Sequence, residues 1–261
     1  MNIVVCAKQV PSTETKMRID TQVGFVDTSD VEWVINPYDE YAIETGLRIG
    51  ENLGDTAITV VTLGHQRART ALLSALSMGV DKAVHILDDS LKGIDFLSTG
   101  RILAAAIKRS PFDLVLCGKQ AVDDDMAMVP QVVAHYLGIP HVAVVPEVEV
   151  AGEAAELVAH REVEGATEIV HISMPCLVTI QKGKYEPRYP TLKLMMAAKR
   201  KEIPVLTARD LGIEKKNLTS GTVNIEDRLP PGRKPGKVLE GEIEKTVPEL
   251  VRLLCEEAKV I

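Results

Sequence analysis

Short apolar runs recur along this chain and alternate with longer segments whose apolar residues repeat at helical spacing. The runs cover residues 3–7, 57–63, 83–87, 114–117, 141–145 and 176–180. Short, continuously apolar runs are typical of strands that are buried on both faces of a parallel sheet. The alternation therefore predicts an α/β fold with a Rossmann-like, doubly wound, mainly parallel sheet and helices on both faces.

Helical periodicity places helices at residues 38–52, 66–78, 96–108 and roughly 124–137. Pro130 lies inside the last of these, where it predicts either a kink or a later helix start. After Pro146 the pattern changes to alternation, which predicts an antiparallel meander before the last core strand and a small hairpin around Gly24. The meander strands are placed at 147–150, 156–164 and 167–172, and the hairpin strands at 17–19 and 25–27.

From about Leu206 the alternation of strands and helices stops, turn-forming residues accumulate, and an amphipathic helix is predicted near 247–259. We predict a nucleotide-binding α/β domain over residues 1–205 and a C-terminal arm over 206–261. The apolar residues of the arm require a surface to cover, either on this domain or on a partner.

Composition narrows the classes of function. The chain has 261 residues and a formal net charge of −7, which argues against a general nucleic-acid binder. Its four cysteines show no paired spacing, so a disulfide framework or zinc site is not predicted. The absence of a signal peptide and of any membrane-length apolar run predicts a cytoplasmic protein without membrane insertion.

Four segments are expected to meet at the carboxyl edge of the sheet, where open parallel sheets bind ligands. They are residues 6–8, 36–39, 63–64 and 118–125. Asn36 and Asp39 could hydrogen-bond a ribose or a base edge, or they could form a simple helix cap beside Pro37. Convergence of the four segments favours a nucleotide site.

Residues 115–125 form an apolar run that leads through Gly118 into three consecutive aspartates. Asp123 to Asp125 are predicted to cap the next helix, while other amides of that turn remain free for phosphate. The alternative is an ordinary turn with an acidic cap. There is no glycine-rich dinucleotide fingerprint, phosphate-binding loop, metal-ligand spacing or nucleophile elbow, so any redox chemistry must come from a cofactor.

Residues 184–201 combine two prolines and two tyrosines with an apolar group beside Lys199, Arg200 and Lys201. Leu192, Met195 and Met196 at this position predict a surface that docks a partner with acidic residues. The alternative is that the methionines belong to the core.

These motifs resemble the beta subunit of electron transfer flavoproteins over essentially the whole chain. The matching segments are 4–8, 36–39, 75–79, 116–125 and 186–192. The resemblance implies a heterodimer whose alpha subunit holds the electron-carrying FAD and receives the C-terminal arm. It also implies docking to an acyl-CoA dehydrogenase or another flavin dehydrogenase, with Leu192 as the anchor and Met195 and Met196 beside it.

The resemblance implies a second nucleotide in this subunit, which is AMP in simple electron shuttles and FAD, reduced by NADH, in electron-bifurcating members. The predicted cofactor-binding residues are Cys6, Ala7, Asn36, Pro37, Tyr38, Asp39, Leu63, Gly64, Asp95, Thr99, Gly118, Gln120, Ala121, Val122, Asp123, Asp124, Asp125, Met126, Ala127, Met128, Val129 and Pro130.

The pattern around Gly93, Asp95 and Thr99 resembles the bifurcating branch, and so does the final sequence Lys259-Val260-Ile261. Both favour FAD. Asp124 instead resembles the shuttle branch and favours AMP, and Asp95 with Thr99 could simply cap a helix. We expect FAD, with AMP as the alternative, and no side chain that acts as a chemical catalyst. A stress protein or adenylating enzyme of similar fold is disfavoured, because it would require a stable homodimer or an ATP-binding loop.

Overall fold

The computed structural model of this chain describes residues 1–91, 93–151, 156–214, 216, 218, 220–232 and 235–261. Its strands are β1 (Asn2–Cys6), β2 (Gln9–Pro11), β3 (Ile19–Asp20), β4 (Phe25–Val26), β5 (Trp33–Ile35), β6 (Ala57–Leu63), β7 (Lys82–Ile86), β8 (Leu114–Gly118), β9 (His141–Val145), β10 (Glu147–Ala151), β11 (Glu156–Val163), β12 (Ala166–Ser173), β13 (Cys176–Ile180) and β14 (Val205–Leu206). Its α-helices are α1 (Pro37–Leu53), α2 (Arg69–Met78), α3 (Phe96–Ile107), α4 (Val129–Leu137), α5 (Leu192–Ala198) and α6 (Ile243–Arg252).

Seven parallel strands form the central sheet in the order β14-β7-β6-β1-β8-β13-β9. All six predicted core strands are present, and the predicted doubly wound α/β fold is confirmed. The seventh strand, β14, was missed because it has only two residues, which pair with His85 and Ile86 at the sheet edge.

Residues of β1 alternate between two apolar layers because successive side chains of a strand point to opposite faces. Ile3 and Val5 pack in the layer that contains α1 and α2. Val4 and Cys6 pack in the layer that contains α3 and α4. Burial on both faces explains why these strands are continuously apolar in sequence.

The fourth helix begins at Val129 and not near residue 124 as predicted. Pro130 lies in its first turn, where a missing backbone N–H costs nothing. Asp123, Asp124 and Asp125 lie in the preceding loop, so their predicted role as caps of this helix is wrong. The later start, one of the two readings of Pro130, is correct.

The predicted meander is present as the antiparallel sheet β10-β11-β12, and the predicted small hairpin is present as β3-β4, shifted by about a residue. The C-terminal helix α6 begins at Ile243 and continues as a π-helical stretch over Leu253–Ala258. Residues 215, 217, 219, 233 and 234 of the predicted arm lie outside the described residues. Within the part of the chain that is described, no helix has the length and apolar character needed to cross a membrane.

Part of the segment predicted as an arm packs on the body of the protein. Ala208, Ile213 and Leu218 are buried in the apolar layer of α3 and α4. The exposed arm therefore begins near residue 220, later than the boundary predicted at 206. We use "C-terminal arm" below for residues 220–261.

Candidate functional site

The strand order reverses direction at β1, which lies between β6 and β8. The chain first builds the sheet from β1 through β6 to β7, and then returns to the other side of β1 with β8. Loops that leave β1 and β8 consequently diverge and open a crevice at the carboxyl edge of the sheet. A cavity of about 500 Å³ occupies this crevice. That volume lies in the usual range for small-molecule sites.

The four segments predicted to converge do meet at this cavity. The predicted residues that line it are Cys6, Ala7, Asn36, Asp39, Leu63, Gly64, Asp95, Thr99, Gly118, Gln120, Ala121, Asp124, Met126, Ala127, Met128, Val129 and Pro130. The predicted residues that do not line it are Pro37, Tyr38, Val122, Asp123 and Asp125. These five lie beside lining residues in the same two segments, so they support the wall and do not form its surface.

Asn36 and Asp39 hold the loops of the site together. The Asn36 side chain donates to the carbonyl oxygen of Gln120 at 2.9 Å and accepts from the amide of Val122 at 3.2 Å. Asp39 accepts from the amides of Lys8 at 2.7 Å and Gly118 at 2.9 Å. Both side chains are buried, so they tie the ends of β1 and β8 to the start of α1. These hydrogen bonds give both side chains a positioning role in the loops that line the cavity.

The carboxyl of Asp39 has an unusual environment for an acidic side chain. Burial raises its pKa to about 7, although the amide hydrogen bonds from Lys8 and Gly118 favour the charged form. Gly118 has no room for a side chain, because an added Cβ would lie 2.7 Å from Cβ of Tyr38 and would overlap Oδ1 of Asp39. The glycine is required here by close approach of α1 to the end of β8.

The three aspartates of the loop after β8 are bonded within the loop and to β1. Lys8 donates to Oδ1 of Asp123 at 2.7 Å and to Oδ2 of Asp124 at 2.9 Å. Although partial burial disfavours its charge, these two carboxylates raise the pKa of Lys8. Asp125 accepts from the side-chain amide of Gln120 at 2.6 Å. The acidic run thus closes the loop over β1, and Lys8 offsets part of its charge.

The N-terminus of α4 opens toward the cavity without a side-chain cap. Asp125 and Ala127 just before it have left-handed backbone, with φ of 50° and 51°. Such conformations in non-glycine residues cost about 1–3 kcal/mol each and occur preferentially at ligand sites. An uncapped helix N-terminus offers free amides and a partial positive charge, which suit a phosphate group.

Asp95 is engaged by two backbone amides at the other end of the cavity. It caps α3 by accepting from the amide of Ser98 at 2.8 Å, and it accepts from the amide of Gly221 at 2.7 Å. These bonds hold the pKa of Asp95 below its ordinary value. The helix cap is thus present at Asp95, which also tethers the start of the C-terminal arm and lines the cavity. Thr99 lies one turn further on and lines the same end of the cavity.

Apolar side chains of α3 and of the segment after β7 line this second end beside the carboxylates of Asp88, Asp89 and Asp95, and several residues of the cavity were missed from the sequence. The lining residues outside the predicted set include Lys8, His65, Leu87, Asp88, Asp89, Leu91, Ile94, Phe96, Leu103, Cys117 and Thr222. The segment 87–99 could have been predicted in part, because it follows the carboxyl end of β7, and loops at that edge of a parallel sheet bind ligands. Thr222 carried no signal, because it enters the site only through the tether to Asp95.

Two cysteine side chains line the cavity. Cys6 and Cys117 are free, buried and opposite one another on β1 and β8. Hydrogen bonding to Cys6 and burial raise the pKa of the Cys117 thiol far above its ordinary range, which keeps it uncharged. Within the described part of the chain, no group of three or more His, Cys, Asp or Glu residues could hold a metal ion.

A second surface lies away from the cavity, on α5 and the segment before it. Leu192 is 79% exposed and Met196 is 61% exposed, and Met195 is also exposed. The alternative that these methionines belong to the core is wrong. Lys201 does not join the exposed basic group, because its ammonium donates to the carbonyl oxygens of Val80 and Asp81.

Comparisons with known proteins agree with this geometry. The family Electron transfer flavoprotein domain matches residues 23–211. The electron transfer flavoprotein subunit beta of Bacillus subtilis is 41% identical over 262 residues, which covers 100% of both chains. That of Thermoanaerobacterium thermosaccharolyticum is 37% identical over 97% of this chain and 98% of its own. The chain belongs to the beta-subunit family of electron transfer flavoproteins.

Proposed function

We propose that this subunit binds FAD in the cavity at the switch point. Together with an alpha subunit, it relays electrons between NADH, a flavin dehydrogenase and a further redox acceptor. The observation that carries the proposal is the two-ended character of the cavity. One end suits a phosphate, and the other suits a flat apolar ring system.

At the first end, the start of α4 supplies the anion-binding elements. The helix start has no side-chain cap and follows two residues with left-handed backbone, and such turns supply backbone N–H groups to an anion. Lys8 lies at the same end and holds Asp123 and Asp124 in its two ion pairs. An adenosine diphosphate group would therefore be held by backbone amides, with the loop carboxylates directed to Lys8.

At the second end, Leu63, Leu91, Ile94, Phe96 and Leu103 form an apolar wall. AMP carries one ring system and FAD carries two, so the flavin ring of FAD would bury apolar surface against this wall while its adenosine diphosphate occupies the rest of the cavity. Thr99 and the backbone near Gly93 supply the polar edge that a ring with carbonyl and N–H groups requires. The extent of the cavity past the phosphate end thus favours FAD.

AMP remains the second candidate, and Asp124 is the residue that favours it. Its side chain lines the phosphate end, where its bulk restricts how closely the pyrophosphate of FAD can approach the loop. Asp95 lines the cavity and accepts one backbone amide at each carboxylate oxygen, which leaves acceptor sites for a donor of the bound nucleotide.

When bound, FAD would supply hydride acceptance and one-electron transfer, which no side chain of this chain can perform. The residues of the chain would bind and orient it. Asn36 and Asp39 fix the loops, α4 holds the phosphate end, and the apolar wall excludes water from the ring. Protein groups thus set position and polarity, and the cofactor carries the electrons.

The alpha subunit is the proposed cover for the C-terminal arm, and a flavin dehydrogenase of the acyl-CoA dehydrogenase type is the proposed partner for the surface around Leu192. None of the ten residues of α6 is buried, although Val247, Leu250 and Val251 give it an apolar face. Such a face requires a partner protein. We propose the cytoplasm as the location.

Bound nucleotide identity tests the cofactor proposal. The chain is co-purified with its alpha subunit, the complex is denatured, and the released FAD and AMP are quantified per heterodimer. Two FAD and no AMP are expected. One FAD and one AMP would contradict FAD in this subunit and establish the shuttle alternative.

A pair of variants on α3 locates the nucleotide. Thr99→Trp would fill the apolar end of the cavity, and Leu97→Trp is its control because Leu97 is 48% exposed and does not line the cavity. We expect Thr99→Trp to lower FAD content to about one per heterodimer while Leu97→Trp retains two. An equal FAD content in both variants would place the second FAD elsewhere.

The docking proposal is tested separately. Leu192→Ala removes an exposed apolar anchor and should slow electron transfer from a substrate-reduced acyl-CoA dehydrogenase, with unchanged nucleotide content. Ile169→Ala, a truncation of an exposed apolar side chain on β12, is the control. Equal transfer rates in the two variants would remove Leu192 from that role.

A further inference from the structure

The segment between β13 and α5 reaches the surface without regular secondary structure, yet it is held at one point by a buried ion pair. Glu44 on α1 is completely buried, and its carboxylate accepts from Nε of Arg188 at 2.8 Å and from Nη2 at 3.0 Å. The backbone amide of Arg188 donates to the same carboxylate at 3.2 Å. Three bonds to one side chain fix both the backbone and the guanidinium of Arg188.

Sequence spacing on α1 explains how the helix can hold this segment. Tyr41, Glu44, Arg48 and Glu51 are separated by three, four and three residues, so they form one stripe along the helix. Tyr41 donates to the carboxylate of Glu186 at 2.6 Å, and Glu51 accepts from Nη1 of Arg188 at 2.6 Å. Arg48 also donates to Glu44 at 2.7 Å, so the cluster contains two arginines and two glutamates, whose charges balance.

The residues next to Arg188 are exposed to an unusual degree for large apolar and aromatic side chains. Tyr189 is 94% exposed and Leu192 is 79% exposed. Beyond α5, the Lys201 ammonium is fixed to the carbonyl oxygens of Val80 and Asp81. The exposed surface is thus suspended between two anchored points, and Arg188 is the anchor that lies next to Tyr189.

We propose that Glu44 and Arg188 are positioning residues for partner binding, and that they present Tyr189 and Leu192 together as a preformed docking surface. This inference rests on the proposed docking function. A surface that is ordered before association loses less conformational entropy on binding. A buried ion-pair network is weak evidence for added stability, because desolvation offsets much of the attraction, but it fixes the geometry of the side chains that form it. The occupant is a flavin dehydrogenase with an apolar socket and acidic rim, because Lys193, Lys199 and Arg200 flank the surface.

The test is steady-state electron transfer from a substrate-reduced acyl-CoA dehydrogenase to the heterodimer, with the heterodimer as the varied substrate. Arg188→Lys keeps the charge but loses the fork of two donors. The double variant Glu44→Met with Arg188→Met removes both charges and keeps the buried volume, which avoids leaving Glu44 buried without a partner. Arg161→Met is the control, because Arg161 forms an ion pair of the same 2.8 Å length with Glu168 that joins two strands of the meander and makes no contact with Arg188.

We expect the KM for the heterodimer to rise about tenfold in the double variant and less in Arg188→Lys. The kcat, the nucleotide content and the Arg161→Met kinetics should remain unchanged. An unchanged KM in both Arg188 variants, or a fall in kcat alone, would overturn the positioning role. If Leu192→Ala raises KM in the same assay, docking at this surface stands without the clamp; if it does not, the docking proposal itself fails.

Discussion

Two amphipathic helices of this chain, α1 and α6, differ in whether their apolar faces are buried. The apolar side of α1 is buried against the central sheet through Ala42, Ile43 and Leu47. On α6, Val247 and Leu250 stay about half exposed, at 51% and 47%. Both sequences predict a helix with one apolar face. The difference teaches that such a pattern establishes the need for a covering surface, while only packing shows whether the same chain provides it.

The body of the protein and the C-terminal arm are held in place by different kinds of interaction. The body is held by apolar layers on both faces of the sheet. The start of the arm is held by hydrogen bonds, from Gly221 to Asp95 and between Asp227 and the backbone of Gly24 and Val26. Apolar layers make the body cooperative, whereas a few polar bonds leave the arm able to follow a partner.

The largest expected difference in stability between the body and the C-terminal arm comes from truncating one leucine in each. Leu116→Ala, at a completely buried site in β8, should lower the free energy of unfolding by about 2–5 kcal/mol. Leu250→Ala should change that of the isolated chain by less than about 0.5 kcal/mol, because the side chain is already exposed. Urea unfolding of both variants measures the difference.

The two leucine variants should have the opposite ranking in their effect on binding of the alpha subunit. Leu250→Ala should weaken binding of the alpha subunit by roughly 1–2 kcal/mol, whereas folded Leu116→Ala should bind normally. Calorimetric titration of the alpha subunit with each variant checks this. Unchanged affinity for Leu250→Ala would show that α6 is not part of the subunit contact.

One carboxylate in the body and one in the C-terminal arm should contribute to stability with opposite dependence on pH. Asp39 in the body has a pKa raised by burial from 3.8 to about 7, so between these values the folded state binds more protons than the unfolded state. Its contribution to stability should therefore fall as pH rises from about 4 to 7, by roughly 1–4 kcal/mol in total. Asp227 in the arm has its pKa lowered by hydrogen bonds from Asn224 and Val26, so its contribution should appear as pH rises.

Unfolding free energies of Asp39→Asn and Asp227→Asn, each subtracted from those of the unaltered chain across pH 3 to 8, should slope in opposite directions. The asparagine at position 39 removes the titration and keeps the size of the side chain. Parallel slopes would show that Asp39 is ionised throughout and that its two amide donors outweigh burial.

Glycine replacement compares the two regions through steric overlap. Gly118→Ala forces a Cβ against Tyr38 and Asp39 and should cost about 1–3 kcal/mol while lowering bound nucleotide. Gly232→Ala in the arm has no atom within 4 Å of the added Cβ and should leave both quantities unchanged. Thermal unfolding and nucleotide content of the two heterodimers test the pair. Normal nucleotide content in Gly118→Ala would separate this corner of α1 and β8 from the site.

Much of the fold was predictable, because burial on two faces leaves a direct mark in sequence. The bounds of β6, β9 and β13 agree with prediction residue for residue. The start of α4 was not predictable from its acidic run, since a cap signal identifies a helix start only if the chain turns helical there. Asp123 and Asp124 instead found Lys8, which lies 115 and 116 residues away in sequence.

The sequence by itself determined the alternation of strands and helices, the crevice at the switch point and an arm with unpaired apolar residues. These follow from local periodicity and from the topology that short connections permit. Tertiary structure alone decided that Asp39 and Asn36 support the site, that Asp95 tethers the arm, and that Arg188 is clamped by Glu44. Each depends on partners 79 to 144 residues apart that only folding brings within hydrogen-bond distance.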